Sequence, residues 1–489
     1  MRSTFHSLET ARRALMAQQA ALQTTSHNIA NANTPGYSRQ RVNLTVTSPY
    51  ATPGMNSSVS PGQIGTGVEA GTVQRMRQDF LDLQFRGENT KTGYWQARSE
   101  ALSKMEDIMK EPSDDGLAEV LNRFWNSLQD LASDPENEGT RAVVKQRGIA
   151  VADTFHYLTN SLQNVRADIQ NQLQVTVKEV NTLARQINSL NEQISQVEPH
   201  GKLANDLYDK RDLLVDQLSE LVNVKVSESE SGGNALDIAE GRYTIEIVTN
   251  TGQSYTLVDG ENMRFKRLSA NFDPVDGTVQ FSLNGTTIAG SVAGKLQGLA
   301  DSNNSTYPDM IHSLDEMAAG FVDKFNQVHQ SGFGLDGNSG YLFFNDLGGT
   351  VQGAAEAISL SSDVLNDLGH IAASSNGDNG DNGNALKLSE VLTEPLTIDN
   401  KTTDLYSYYE GVIGGMGVEA QEAKRLADNS LTLRMAAEKR RQSVSGVSID
   451  EEMVNIIKFQ HAYNAAGRMV TVVDQTLDRI INQMGIVGR

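Results

Sequence analysis

The sequence predicts a mainly α-helical, elongated subunit of several domains, with a β-domain inserted in its middle and a coiled coil formed by its two ends. Three observations predict this. Apolar residues recur every seven positions near both termini, long runs between them step by three and four, and one central stretch alternates with period two.

Near the N-terminus Leu8, Leu15, Leu22 and Ile29 fall seven apart, flanked by Ala11, Ala14, Ala17, Ala20 and Ala21. A strict seven-residue repeat keeps a narrow stripe facing a partner helix, and alanines let that partner come close. Thr34-Pro35-Gly36 is expected to end the helix, because Pro35 drives Thr34 out of helical geometry and Gly36 permits the turn. Near the C-terminus Ile449, Met453, Ile456, Gln460, Tyr463, Gly467, Val470, Asp474, Leu477, Ile481 and Met484 alternate in steps of four and three. They read as one seam, with Gln460 and Asp474 as polar positions that fix its register. Ser448 and Glu451 have the spacing of a capping box at its start, and Gly485 and Gly488 stop it. A single pair of such helices buries little apolar surface, so the expectation is a hairpin weakly ordered in the monomer and ordered in an assembly.

The body continues in helices. Phe155, Leu158, Leu162, Val165 and Ile169 step by three and four, as do Val180, Leu183, Ile187, Leu190, Ile194 and Val197. Leu173 and Val177 between them step by four each, a stutter that unwinds a supercoil locally. Helix is expected again at 300–330 and at about 401–443. Within 224–299, Tyr243–Ile247 and Val279–Leu283 alternate apolar with polar residues, and turn pairs beginning at Gly232, Asp259, Asp276 and Asn284 read as hairpin turns. The Gly/Asn/Asp-rich run Ser375–Asn384 reads as a mobile surface loop. The domains expected are therefore 1–72 with 448–489 as a terminal coiled-coil unit, 73–223 with 300–447 as a helical body, and 224–299 as an outward-facing β-insert.

Composition narrows function by exclusion. The formal charge of −20 argues against a nucleic-acid partner and against anionic membrane surfaces. Residues 1–48 depart from it, with five Arg against one Glu. The absence of cysteine excludes disulfides and cysteine-ligated zinc. No cleavable signal peptide and no membrane-spanning stretch are visible, so no membrane insertion is expected and export would need another route. Gly65, Gly67 and Ala70 match GxGxxA outside any βαβ unit. The eight histidines are scattered, and the Asp336–Asn338 and Asp378–Asp381 runs fit turns better than a calcium loop. No catalytic residue, cofactor site or metal site is expected.

The ends carry a motif. Ser26 to Gln40, with Asn28, Asn31, Asn33, Thr34, Pro35, Gly36 and Tyr37, resembles the N-terminal signature of flagellar axial proteins, the rod, hook and hook-associated proteins. Gly65-Thr66-Gly67-Val68 with Arg75, Asp79, Phe80 and Leu81 resembles the next block of that family. Ser445 to Gly485, including Phe459–Ala466, resembles its C-terminal helix. The match covers residues 1–85 and 445–489. The long body helices, with Ala372–Ser375 and Gly380–Leu386, resemble the hook-associated members, whereas rod and hook proteins resemble one another in β-rich bodies.

The resemblance implies a structural subunit, not an enzyme, at the junction of hook and filament, on which filament assembly depends. It implies copies packed side by side into the inner wall of a tube. That interface would be carried by Leu8, Leu15, Leu22, Ile29, Met453, Ile456, Tyr463, Val470, Leu477 and Ile481. Hook protein below, the next hook-associated protein above, and a cytoplasmic export chaperone on the C-terminal helix would be the partners. Export would run through the flagellar type III apparatus to an extracellular place on the flagellum. Two alternatives stay open: a hook or distal-rod protein, which a β-rich body would favour, and a secreted adhesin or hydrolase on a helical stalk.

Overall fold

The computed structural model describes residues 4–50, 65–109, 116–398 and 401–483. Met484, Gly485 and Gly488 lie outside them. Helix makes up 63% of the chain, which counts against the β-rich body expected of a hook or rod protein.

The chain opens with helix α1 (Thr4–Ala30), followed by the antiparallel hairpin of β1 (Gln40–Val46) and β2 (Val68–Arg75). Helix α2 (Asp79–Met109), α3 (Leu117–Ser133), α4 (Glu138–Val197) and α5 (Asn205–Leu221) follow. The insert holds a four-stranded antiparallel sheet, β3 (Val224–Ser229), β4 (Arg242–Val248), β5 (Ser254–Asp259) and β6 (Arg264–Phe265), in that order. It also holds a three-stranded one, β7 (Leu268–Phe272), β8 (Val279–Leu283) and β9 (Thr286–Thr287). Helices α6 (Gly294–Asp301) and α7 (Tyr307–Ser331) return to the body. They are followed by short helices α8 (Ala354–Ala357), α9 (Ser362–Asn366) and α10 (Gly383–Glu390) and the small hairpin β10 (Leu396–Ile398) and β11 (Lys401–Thr403). Helix α11 (Leu405–Ser445) then runs along α2, and α12 (Ile449–Asp478) returns to α1.

The two runs read separately along 155–197 belong to one helix of 60 residues, about 90 Å at 1.5 Å per residue. Asn137 caps it by accepting from Gly139 N at 2.7 Å. The stutter residues Leu173 and Val177 are buried like their neighbours, so the stripe passes through without a break. Phe155, Leu162, Val180 and Ile187 on that stripe are fully buried. Five phenylalanines meet in the core of the body: Phe124, Phe321, Phe325, Phe343 and Phe344 have neighbouring ring centroids 4.9–6.3 Å apart. Asn326 fixes the last two, accepting from Phe343 N and Phe344 N and donating to Phe344 O.

The insert follows its predicted alternation. Tyr243, Ile245 and Ile247 face inward while Thr244 and Glu246 do not. Asn284 and Gly285, both at positive φ, form the two-residue turn between β8 and β9. It is not a separate core, however. Its inward residues join the cluster that lines α4, and two asparagines of α4 fasten its strands. Asn181 exchanges both hydrogen bonds with Leu268, and Asn191 does the same with Tyr243. Helix α6 begins at Gly294, inside the expected range 224–299, and β2 runs on to Arg75, past residue 72. The Ser375–Asn384 segment lies at the surface but is tied down: Asp381 accepts from Ser375 N and Ser375 Oγ, and Asn384 N donates to Ala373 O.

Candidate assembly site: the terminal helix pair and its anchor

Helix α1 lies between α12 and the β1–β2 hairpin. Its most buried face is small and polar: Ala11, Ala17, Ala21, Thr25 and Asn28. Leu8, Leu15, Leu22 and Ile29 flank that face and are half-buried. The end of α1 meets the start of α12, so the two helices run antiparallel.

On α12 the seam is one helical row away from the expected one. The buried positions are Glu452, Ala466 and Val473, with Phe459 half-buried in the same seven-residue row. Ile456, Val470 and Leu477 border them and are half-buried. Tyr463 is 38% exposed, Met453 54% and Ile481 72%. Gln460 and Asp474 are exposed as well, so neither fixes register in this pair. The apolar stripe of α12 is wider than the contact with α1, and α1 covers one edge of it. Ile449, Val454, Ile457, Met469 and Val472 remain exposed too.

Register is instead set by Asn28. Its amide donates to Gln40 O at 2.8 Å and to Glu452 Oε2 at 3.1 Å, and its Oδ1 accepts from Gln40 N at 3.0 Å and Tyr37 Oη at 2.8 Å. Asparagine offers both donors and an acceptor on one short side chain, and every one is used here. Burial and the nearby carboxylates Asp206, Asp209 and Glu452 push the Tyr37 phenol well above its usual range, so it stays a donor. Its oxygen in turn accepts from His27 Nδ1 at 3.0 Å. Glu452 is 2% exposed and also takes Arg39 Nε at 2.8 Å. The capping box is thus only half formed. Ser448 Oγ accepts from Glu451 N at 3.4 Å, but the Glu451 carboxylate goes to Arg39.

The rest of the motif shapes the turn. Helix α1 stops at Ala30, four residues before the expected Thr34. Asn31 and Thr34 then hold a tight turn, with Asn31 donating to His27 O and Thr34 Oγ1 to Asn31 Oδ1. Asn33 and Pro35 are exposed on it. Gly36 sits at φ +79°, and a Cβ there would lie 3.1 Å from Leu213 Cβ. Gly67, at φ +107°, lets the start of β2 pass against Thr10 of α1, and its carbonyl accepts from Thr47 N. Gly65 is exposed, and its carbonyl meets His6 Nε2 at 3.0 Å. The GxGxxA match therefore belongs to a hairpin entry. Glu452 and Arg39 were missed as site residues. Their signal was weak: an arginine just after the Asn-rich turn and an acid in the first turn of the partner helix.

This geometry agrees with what the chain resembles. A family model described as the flagellar hook-associated protein FlgK helical domain matches residues 102–344. Models of the flagellar basal body rod protein and of the flagellar basal body rod FlgEFG protein C-terminal match residues 8–37 and 440–484. The flagellar hook-associated protein 1 of Bacillus subtilis (strain 168) is 48% identical over 507 residues, covering 100% of both chains. The chain belongs to the flagellar hook-associated protein 1 family. The family member of Escherichia coli (strain K12) is 26% identical over 96% of this chain and 98% of its own. That of Salmonella typhimurium is 31% identical over 72% of this chain and 62% of its own. The flagellar hook junction protein FlgK from Burkholderia pseudomallei shares the fold, with a TM-score of 0.63 at 16% identity over 74% of this chain and 100% of that structure. As a hook-associated protein 1, the chain is a structural subunit of the bacterial flagellum, and its homologues are flagellar structural proteins.

Proposed function

We propose that the chain forms the layer between hook and filament, and that its terminal helix pair packs against neighbouring copies as the inner wall of a tube. The observation that carries this reading is the uncovered apolar face of α12. Met453, Val454, Ile457, Met469, Val472 and Ile481 are each more than half exposed, and exposed apolar side chains gathered on one element mark an interaction site in a soluble protein. Leu8, Leu15, Leu22 and Ile29 on α1, and Ile456, Tyr463, Val470 and Leu477 on α12, border that face and complete the lateral contact. The body stands outside this wall with the β-insert outermost. Hook protein contacts the subunit below, and the next hook-associated protein contacts it above.

The same face needs cover before assembly. An export chaperone in the cytoplasm binds α12 there, and the chain passes through the type III apparatus to the outside. No helix among the described residues is long and apolar enough to cross a membrane. The role is mechanical, with no catalytic step.

Deleting the gene tests the place on the axis. Bare hooks, with monomeric flagellin released into the medium, are expected. Missing hooks would move the chain to hook or rod, and normal filaments with normal swimming would overturn the reading.

A further inference from the structure

Beneath the terminal unit lies a buried cluster of ion pairs that joins four stretches of chain. Arg75, the last residue of β2, reaches Asp209 at 2.7 Å and Asp212 at 2.9 Å on α5, and also Glu240 at the edge of the insert. Arg77 pairs with Asp82 of α2 at 2.6 Å and with Asp212 at 3.2 Å. Arg86 of α2 bridges Asp212 and Asp216 at 3.2 and 2.8 Å. From the end of α11, Arg441 adds pairs to Asp82 and Asp216 while lying over the Phe85 ring. Asp209 also accepts from Ser38 N, and Asp206 from Gln40 Nε2, so the hairpin is held from two sides.

Stability does not explain such a cluster. Taking ions out of water costs several kcal/mol each, and an apolar replacement is often as stable. What ion pairs provide is direction, since each guanidinium fits its carboxylates only in one arrangement. Burial alone would push the Asp212 carboxyl up, but Arg77, Arg75, Arg86 and Arg211 together hold it well below the usual range. Asp212 therefore stays charged at neutral pH, whereas burial pushes the Asp209 carboxyl up against the pull of Arg75. Every carboxylate is shared between elements: Asp212 by β2, the β2–α2 link and α2, Asp216 by α2 and α11, and Asp82 by the link and α11.

We propose that this cluster is the joint that fixes the angle between the terminal unit and the body, acting as a set of positioning residues and not as a source of stability. The inference rests on the wall-subunit reading above, in which the helix pair and the body must meet neighbouring copies at one mutual angle.

The chain has no cysteine, so two introduced cysteines can carry spin labels without interference. Arg41→Cys on β1 and Asn164→Cys on α4 report the distance between hairpin and body by pulsed electron resonance on the full chain. The doubly labelled chain should give one narrow distribution. Asp212→Asn and Arg441→Gln should each broaden it at least twofold while helix content holds. Lys324→Gln, which breaks the surface pair with Glu394, should not broaden it. A narrow distribution in folded cluster variants, or one already as broad in the labelled parent, overturns the proposal. If Asp212→Asn fails to fold, Arg441→Gln decides alone, since its side chain lies at the cluster edge, 15% exposed. The gene deletion reads the junction role independently, so failure of one does not pass for failure of the other.

Discussion

Helices α4 and α12 are both amphipathic, and they are covered to very different degrees. Of 60 residues in α4, 22 are buried, against three of 30 in α12. Helix α4 is enclosed by α3, α5, α7 and the insert, so its stripe is complete within one chain. Helix α12 has α1 as its main neighbour and keeps an apolar face in solvent. An isolated helix pair is marginal in water, because most helical stability comes from tertiary packing of the apolar face. On the reading proposed above, the body stands alone and other copies finish the helix pair.

The sharpest way to break this contrast is at the rim of the open face. Val470→Asp with Leu477→Asp should abolish filament assembly while the body keeps its helix content and melting. Normal filament growth in that double variant would remove the claim that these residues carry the wall. The converse variant lies in the body core. Phe124 touches four other phenylalanine rings, and Phe124→Ala should cost about 3–5 kcal/mol of body stability in chemical denaturation. A loss below about 1 kcal/mol would mean that the body is not the self-sufficient part.

A pH titration separates the regions further. His329 in the body is fully buried, and burial pushes its pKa down to about 4. Its Nε2 accepts from Ala372 N at 3.0 Å, and its Nδ1 lies 2.7 Å from Tyr341 O, so the neutral ring fits both bonds. The unfolded chain takes up this proton near pH 6.5, and the folded chain does so only near 4. Stability from this group is thus complete above 6.5 and is lost as pH falls towards 4, by about 3 kcal/mol. His329→Gln should flatten that slope in denaturation curves between pH 7 and 4. The smallest effect is expected at Asn28. Asn28→Ala should loosen the α1–α12 register by about 2 kcal/mol, seen as faster amide exchange in both helices with body melting unmoved. Exchange that stays unchanged would return register control to the apolar contacts.

Much of the fold was legible along the chain. The stepping of Phe155 through Val197 needs only local periodicity, and so do the Asn284-Gly285 turn and the alternation of Tyr243 to Ile247. Part of the site was legible in the same way. The Asn-rich turn marked the end of α1, although Ala30 and not Thr34 is its last helical residue. The joint was not foreseen, yet it left a trace. Asp209, Asp212 and Asp216 step by three and four on one face of α5, and Asp82 and Arg86 lie four apart on α2. Such spacing puts the charges on one side of each helix without saying that those sides meet.

Local pattern along the chain was enough for the elements: two heptad-patterned ends, a long helical body, a β-insert, and a family motif specific enough to place the chain among flagellar axial proteins. Those features depend on neighbours three, four or seven positions away, where the backbone fixes geometry. Packing settled which row of α12 meets α1, because a stripe wider than its contact can be covered from either edge. It alone decided that Asn28 finds Glu452, and that Arg75 and Arg441 converge on acids 134 and 225 positions away. Pairing at that range is set by how the helices pack, and nothing in the local pattern of either partner names the other.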